Sequence, residues 1–128
     1  MSEPSPAHIR TYRDLVAWQV SMDLVEKVYR ISAGFPDAEK YGLTSQMRRS
    51  SVSVPANIAE GFGRGRKAEF RHFLEISRGS LFELQTLAEL GRRLGWIKGQ
   101  PLKESRDLAQ RVDAVLKGLI NSVKARES

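Results

Sequence analysis

The chain has 128 residues, enough for one packed domain and too few for two cores that each bury sufficient apolar surface. It contains no cysteine, which excludes disulfides, thiolate metal sites and a cysteine nucleophile. Lysine and arginine number 21 against 15 acidic residues, so the formal net charge is +6 and polyanions are candidate partners. Neither a signal-peptide core nor an apolar run of roughly 18 residues is present, so we expect a cytoplasmic protein that does not enter a membrane.

The N-terminal part of the chain precedes any helical periodicity. Residues 1–11 contain two prolines and two serines and are predicted to form a flexible tail, while residues 12–126 are predicted to form a single domain. From Leu15 to Tyr29 the apolar residues recur at steps of three and four, which predicts a first helix. Gly34 and Pro36 mark the end of this helix.

A second helix is predicted from about Ser45 to Gly61. Thr44 is its predicted N-cap residue, because a threonine hydroxyl can accept a hydrogen bond from a free backbone N–H. Pro55 lies inside the helix, where it removes a backbone donor and clashes with the preceding turn. We therefore expect a kink near residues 51–55.

Two further helices follow. Glycines at positions 61, 63 and 65 predict a turn, and a third helix then runs from about Lys67 to Leu94 with two adjacent apolar seams. Gly79 lies within this helix, and close contact with another helix would explain it. After a turn at residues 95–99, Pro101 suits the first turn of a fourth helix.

No segment alternates with a period of two, so no strand is predicted. The predicted fold class is all-α, with four helices forming an antiparallel up-down-up-down bundle whose second helix is kinked.

Two features predict that the bundle self-associates. The second helix has a stripe of small residues beside its apolar face, and the third helix has a second apolar seam. The alternative is that the small residues are good helix formers on a solvated face. The candidate subunit-interface residues are Val52, Ala56, Ala59, Phe73 and Ile76.

A polar stripe on the second helix also has two interpretations. Arg49, Ser53, Asn57 and Glu60 either bridge and pair with neighbours or line a binding cleft. We favour the structural role, because a buried charge without a partner is costly.

The sequence contains no arrangement typical of catalysis or of a metal centre. Glu69 and His72 form one Glu-x-x-His pair, whereas ferritin-like centres use two such pairs, so His72 is expected to be exposed or to face a partner. The string GFGRGR lacks the spacing of a dinucleotide or P-loop motif. It is a helix-to-helix turn, a basic loop that meets phosphate, or both. We therefore predict a non-enzymatic protein without metal or cofactor.

The positive charge is concentrated in the middle of the chain. Residues 44–78 carry seven basic and three acidic side chains, a net charge of +4, and six of the seven are arginine. Arginine makes forked contacts to phosphate, and counterion release favours nucleic acid of any sequence. The alternative is a solvated basic face. The candidate nucleic-acid-binding residues are Arg48, Arg49, Arg64, Arg66, Lys67, Arg71 and Arg78.

Three strings, YRDLVAWQ, FPDAEKYGLTSQMRRSSVSVPANIAEGFGRG and EFRHFLEISRGSLFEL, resemble the four-helix-bundle proteins encoded by intervening sequences of 23S ribosomal RNA genes. The resemblance spans about residues 12–122 and is most specific from Gln46 to Gly63. It implies a bacterial protein that assembles as a homopentamer. A related branch is the accessory variability determinant of diversity-generating retroelements, a basic pentamer that works with a reverse transcriptase and contacts nucleic acid. The resemblance implies no catalytic residue.

Two functions are therefore expected. The first is an oligomeric helical bundle that binds RNA or DNA through phosphate contacts without reading bases. The second is a structural adaptor whose main partner is another protein, such as a reverse transcriptase, with the charge incidental.

Overall fold

The computed structural model describes residues 2–127, so Met1, the first residue of the predicted tail, lies outside the described residues. Three short 3-10 helices lie at Pro6–His8, Tyr12–Asp14 and Asp37–Glu39. The α-helices are α1 (Val16–Ser32), α2 (Leu43–Gly63), α3 (Lys67–Arg93) and α4 (Gly99–Glu127). Residues 2–127 contain no strand, so the all-α prediction with four helices is confirmed.

The four helices pack as a bundle in which α1 contacts α2 and α4, and α3 contacts α2 and α4. Contacts between α2 and α3 occur in reverse order, with Leu43 beside Gly91 and Ser53 beside Ser80. This order is the one expected for antiparallel neighbours. The antiparallel order of all four helices stays a prediction.

In α2, α3 and α4 the core is built from the apolar stripes that the periodicity identified. In α1 the predicted stripe from Leu15 to Tyr29 is wrong in part, because Tyr29 is exposed and the buried face instead contains Val20, Leu24 and Val28. Each helix contributes a side chain that is almost inaccessible to solvent, such as Leu24, Ile58, Leu81 and Val112. Burying one such side chain contributes about 1.5–3 kcal/mol. The buried faces of the four helices therefore stabilise one common core.

The start of α2 differs from the prediction. The helix begins at Leu43, so Thr44 lies inside it and its prediction as the N-cap residue is wrong. Oε1 of Glu39 instead accepts a hydrogen bond from the Leu43 N–H at 3.0 Å, because the preceding 3-10 turn brings this carboxylate to the helix start. α2 continues through Pro55 to Gly63 as one helix, and the kink stays a prediction.

The N-terminal segment contacts the start of α1. The two carboxylate oxygens of Glu3 accept hydrogen bonds from the N–H groups of Val16 and Ala17 at 2.6 and 2.7 Å. These N–H groups have no acceptor within the helix, so the Glu3 carboxylate satisfies two free donors in the first turn of α1. The division into a flexible tail of residues 1–11 and a domain of residues 12–126 stays a prediction.

Two helical glycines have opposite surroundings. A Cβ at Gly61 would lie 2.5 Å from the Cβ of Phe73, so glycine is what permits this close approach of α2 to α3. A Cβ at Gly79 would have no atom of residues 2–127 within 4 Å, the helix's own nearby backbone aside. The close helix contact expected at Gly79 is therefore not found within this chain.

Candidate functional site

The connection between α2 and α3 presents three cations at one end of the bundle. Arg64 and Arg66 lie in the connection, and Lys67 is the first residue of α3. All three side chains are exposed. Gly65 between the arginines has φ +78°, a left-handed conformation that glycine adopts without steric cost. The glycine therefore allows a tight basic turn immediately before a helix N-terminus.

The ion pairs that these cations form within the chain are weak. Arg64 pairs with Glu60 at 3.4 Å and Arg66 with Glu69 at 3.2 Å, both as exposed pairs. Lys67 makes no ion pair with another residue in the range 2–127. Because exposed ion pairs contribute only about 0–1 kcal/mol, a phosphate can replace the carboxylates at little cost.

A fourth cation lies at the same end of the bundle. Arg126, near the end of α4, lines a cavity together with Arg66 and Lys67. It was missed in the sequence because it lies far along the chain from the loop, outside the arginine-rich block. The predicted up-down topology could have indicated it, since in such a bundle the end of α4 is expected to lie beside the start of α3.

Arg48 and Arg49 occupy different environments from the loop. Arg48 is half-buried between α1 and α2, where its Nε donates to the Oγ of Ser32 at 2.8 Å. Its guanidinium also lies 4.7 Å from the ring centroid of Tyr29. Arg49 is exposed, and its side chain makes no hydrogen bond or ion pair within residues 2–127. Arg48 thus joins two helices, whereas Arg49 is open to solvent.

Arg71 and Arg78 connect α3 to α4. Arg71 donates to Glu127 and, at 2.9 Å, to Glu75, and these two bonds raise its pKa above the ordinary arginine value. Arg78 pairs with Asp113 at 2.6 Å. A phosphate at either guanidinium would compete with carboxylates already in contact. The structure therefore brings together Arg64, Arg66 and Lys67, places Arg48, Arg71 and Arg78 in separate contacts, and leaves Arg49 open to solvent.

The candidate interface residues lie mostly on the outside of the bundle. Val52 and Ile76 are 42% and 40% exposed. Ala56 is exposed, Ala59 is half-buried, and Phe73 is half-buried against α2 at Gly61. Val52 and Ile76 are therefore open to a further partner, while Phe73 already packs within the chain.

Two different apolar patches are exposed on the bundle. The α3 face consists of Ile76, Leu90 and Leu94, which lie within about 40° of one another at 100° per residue. Ile76 is about 21 Å from Leu90 along the helix axis, so the three form a row along one side of α3, interrupted by the exposed Glu83. The α1–α2 face consists of Met22, Tyr29 and Val52. Met22 and Tyr29 lie seven residues apart on α1, which places them on the same side of that helix. Tyr29 stacks on Arg48 of α2, and Val52 lies one helical turn beyond Arg48, so Tyr29 and Val52 lie on neighbouring helix surfaces.

The polar stripe of α2 makes contacts within the bundle. The hydroxyls of Ser53 and Ser80 lie 2.8 Å apart, and Nδ2 of Asn57 donates to the Ser53 carbonyl at 2.8 Å. Glu60 pairs with Arg64. Three of the four stripe residues therefore have structural partners, in agreement with the structural interpretation.

Residues 2–127 contain no group of three or more histidine or acidic side chains arranged to hold a metal ion. His72 is exposed, with its ring centroid 5.9 Å from that of Phe73. None of the helices in this range has the length and apolar character required to span a membrane.

Comparisons with known proteins agree with the bundle geometry. A family model described as 23S rRNA-intervening sequence protein matches residues 13–118. A crystal structure from Bacteroides thetaiotaomicron VPI-5482, described as a protein with unknown function from the S23 ribosomal protein family, is similar with a TM-score of 0.76. The two chains are 20% identical, and the similarity covers 83% of this chain and 96% of that one, so it shows the fold alone. No curated protein matches the chain.

Proposed function

Because the chain belongs to the 23S rRNA-intervening sequence protein family, we propose that it is a non-enzymatic, self-assembling bundle that binds RNA or DNA through phosphate contacts. The main support is the exposed loop cluster of Arg64, Arg66 and Lys67, whose intrachain pairs are weak. The N-terminus of α3 follows directly and adds positive potential from its free N–H groups. Contacts of this kind position a nucleic acid without specifying its sequence.

Self-assembly is supported by the two exposed apolar patches. A closed ring needs two different surfaces on each subunit that meet each other, and the α3 face and the α1–α2 face meet this requirement. The family resemblance implies five subunits, so we propose a homopentamer. Five copies of a +6 chain give a formal net charge of +30, which strengthens attraction to polyanions.

The assembly is tested by sedimentation velocity at micromolar concentration. Ile76→Glu places a charge on the α3 face and is expected to dissociate the oligomer. Tyr41→Glu is the matched control, because Tyr41 is 87% exposed in a loop outside both patches. A wild-type protein that sediments as a monomer would contradict the assembly.

Nucleic-acid binding is tested by fluorescence anisotropy at several salt concentrations. Replacing Arg64, Arg66 and Lys67 by alanine is expected to weaken binding and to reduce the salt slope by up to about 2.7 for duplex DNA, at about 0.9 per lost phosphate contact. The matched control removes three exposed lysines elsewhere: Lys40, Lys98 and Lys117.

Two results would count against the proposed nucleic-acid site. The first is that the wild-type protein binds neither RNA nor DNA at low salt. The second is a large fall in the melting temperature of the loop variant, which would mean that these cations serve the fold instead.

The adaptor function remains the second candidate, because the exposed apolar patches also suit a protein partner such as a reverse transcriptase. Competition separates the two functions. RNA that displaces a protein partner favours the nucleic-acid role, whereas a partner complex unaffected by RNA favours the adaptor.

A further inference from the structure

A cavity of about 280 Å³ lies beside the basic loop and has a largely apolar wall. Leu15 and Leu119 form part of the wall, together with Phe62 and Phe70. The two phenylalanine rings pack edge to face, with centroids 5.8 Å apart at 84°. Both phenylalanines are only half-buried, so the end of the bundle offers aromatic surface as well as charge.

The charged residues that line this cavity are all basic, although Arg66 also forms an exposed ion pair with Glu69 outside the lining. Arg66, Lys67 and Arg126 line it, and none of its lining residues in the described chain is acidic. Nη1 of Arg126 donates to the neutral Ser122 hydroxyl at 3.1 Å, and Arg126 makes no ion pair with another residue in the range 2–127. An apolar wall with three basic lining residues suits a ligand that joins a planar apolar group to an anion.

The volume of the cavity sets the size of the planar group. An apolar cavity of about 150 Å³ accommodates benzene, so one of about 280 Å³ accommodates a fused two-ring system. A nucleobase has this size, and the sugar that carries it joins it to a phosphate, which supplies the anion.

We infer that this cavity binds one unstacked base of a single-stranded nucleic acid, with the adjoining phosphate on Arg66, Lys67 and Arg126. The inference rests on the proposed nucleic-acid function and adds a substrate class to it. A base within a duplex is stacked and paired and cannot enter the cavity, so single strands are the preferred ligand. Stacking is tolerant of sequence because every base has an aromatic face.

The first test uses the wild-type protein and three DNA probes of about 12 nucleotides, a length within the range that single-strand-binding sites cover. The probes are a single strand, a duplex, and an abasic strand. The abasic strand has the same number of phosphates as the single strand. The single strand is expected to bind at least about 5-fold more tightly than the abasic strand, the lower end of the range for stacking of one base. Equal affinity for the single and abasic strands would overturn the inference.

The second test compares Phe62→Leu with Phe35→Leu. Phe35 also belongs to an aromatic pair, with its ring centroid 5.8 Å from that of Trp96. Trp96 follows the C-terminal end of α3, whereas the basic loop precedes its N-terminal end. Phe62→Leu is expected to weaken binding of the single strand about 5-fold or more and to leave binding of the abasic strand unchanged. Phe35→Leu is expected to change neither. Arg126→Gln is expected to weaken binding of both strands.

The outcomes separate the inference from the proposed function. If the wild-type protein binds none of the three probes at about 50 mM salt, the proposed function fails, and the base site fails with it. If all three bind equally and Phe62→Leu has no effect, the nucleic-acid function stands and only the base site is overturned. Should Phe62→Leu fail to fold by circular dichroism, the wild-type comparison of single and abasic strands still decides.

Discussion

Gly61 offers the most direct test of how α2 and α3 pack. In Gly61→Ala the new Cβ lies 2.5 Å from the Cβ of Phe73 and 3.3 Å from the carbonyl oxygen of Phe70. Neither atom can move without its helix, so the two helices must separate by on the order of 1 Å to reach ordinary contact. Overpacking of this kind lowers the free energy of unfolding by about 1–3 kcal/mol. The higher helix propensity of alanine offsets up to about 1 kcal/mol of this loss. We expect a net loss of about 1–2 kcal/mol in the free energy of unfolding.

The assay is urea unfolding followed by far-UV circular dichroism at one protein concentration, because assembly couples stability to concentration. Gly79→Ala is the matched control, since a Cβ there meets no atom of residues 2–127 within 4 Å, the helix's own nearby backbone aside. This control is expected to gain about 0.5–1 kcal/mol. A Gly61→Ala protein as stable as the wild type would refute the close-approach argument.

Three further predictions concern the core, the helix start and acid stability. Leu81→Ala removes a fully buried side chain and should cost about 2–5 kcal/mol in urea unfolding; a loss below about 1 kcal/mol would contradict the core assignment. Glu3→Ala removes the acceptor of the Val16 and Ala17 N–H groups and should cost about 1 kcal/mol, whereas an unchanged urea midpoint would mean that the segment does not stabilise α1. Hydrogen bonds from two arginines lower the pKa of Glu89 from 4.5 to about 2. Its stabilising contribution is therefore complete above about pH 4.5 and lost as the pH falls towards 2, so Glu89→Gln should flatten the pH dependence of unfolding in that window. High salt should weaken this effect, and identical pH profiles for the two proteins would contradict it.

The number and class of the helices could be predicted because helical periodicity is a local property. Apolar residues at steps of three and four indicate a helix with one apolar side, whichever helix that side packs against. The same local signal placed α3 within one residue of its observed end at Arg93. The basic loop was also visible, because Arg64, Arg66 and Lys67 are close along the chain.

Tertiary packing decided which groups meet across helices. At the start of α2 the N-cap position is Gly42, and the Leu43 N–H is bound by the Glu39 carboxylate of the preceding turn and not by Thr44. Arg78 pairs with a carboxylate on α4, and Arg126 joins the rim of the loop cavity, through the register of α3 against α4. Periodicity indicates that a helix has a buried face, but it placed that face incorrectly in α1, where Tyr29 is exposed and Leu24 is buried. It also does not determine which residue lies opposite, since many registers bury the same stripe and side-chain packing selects among them.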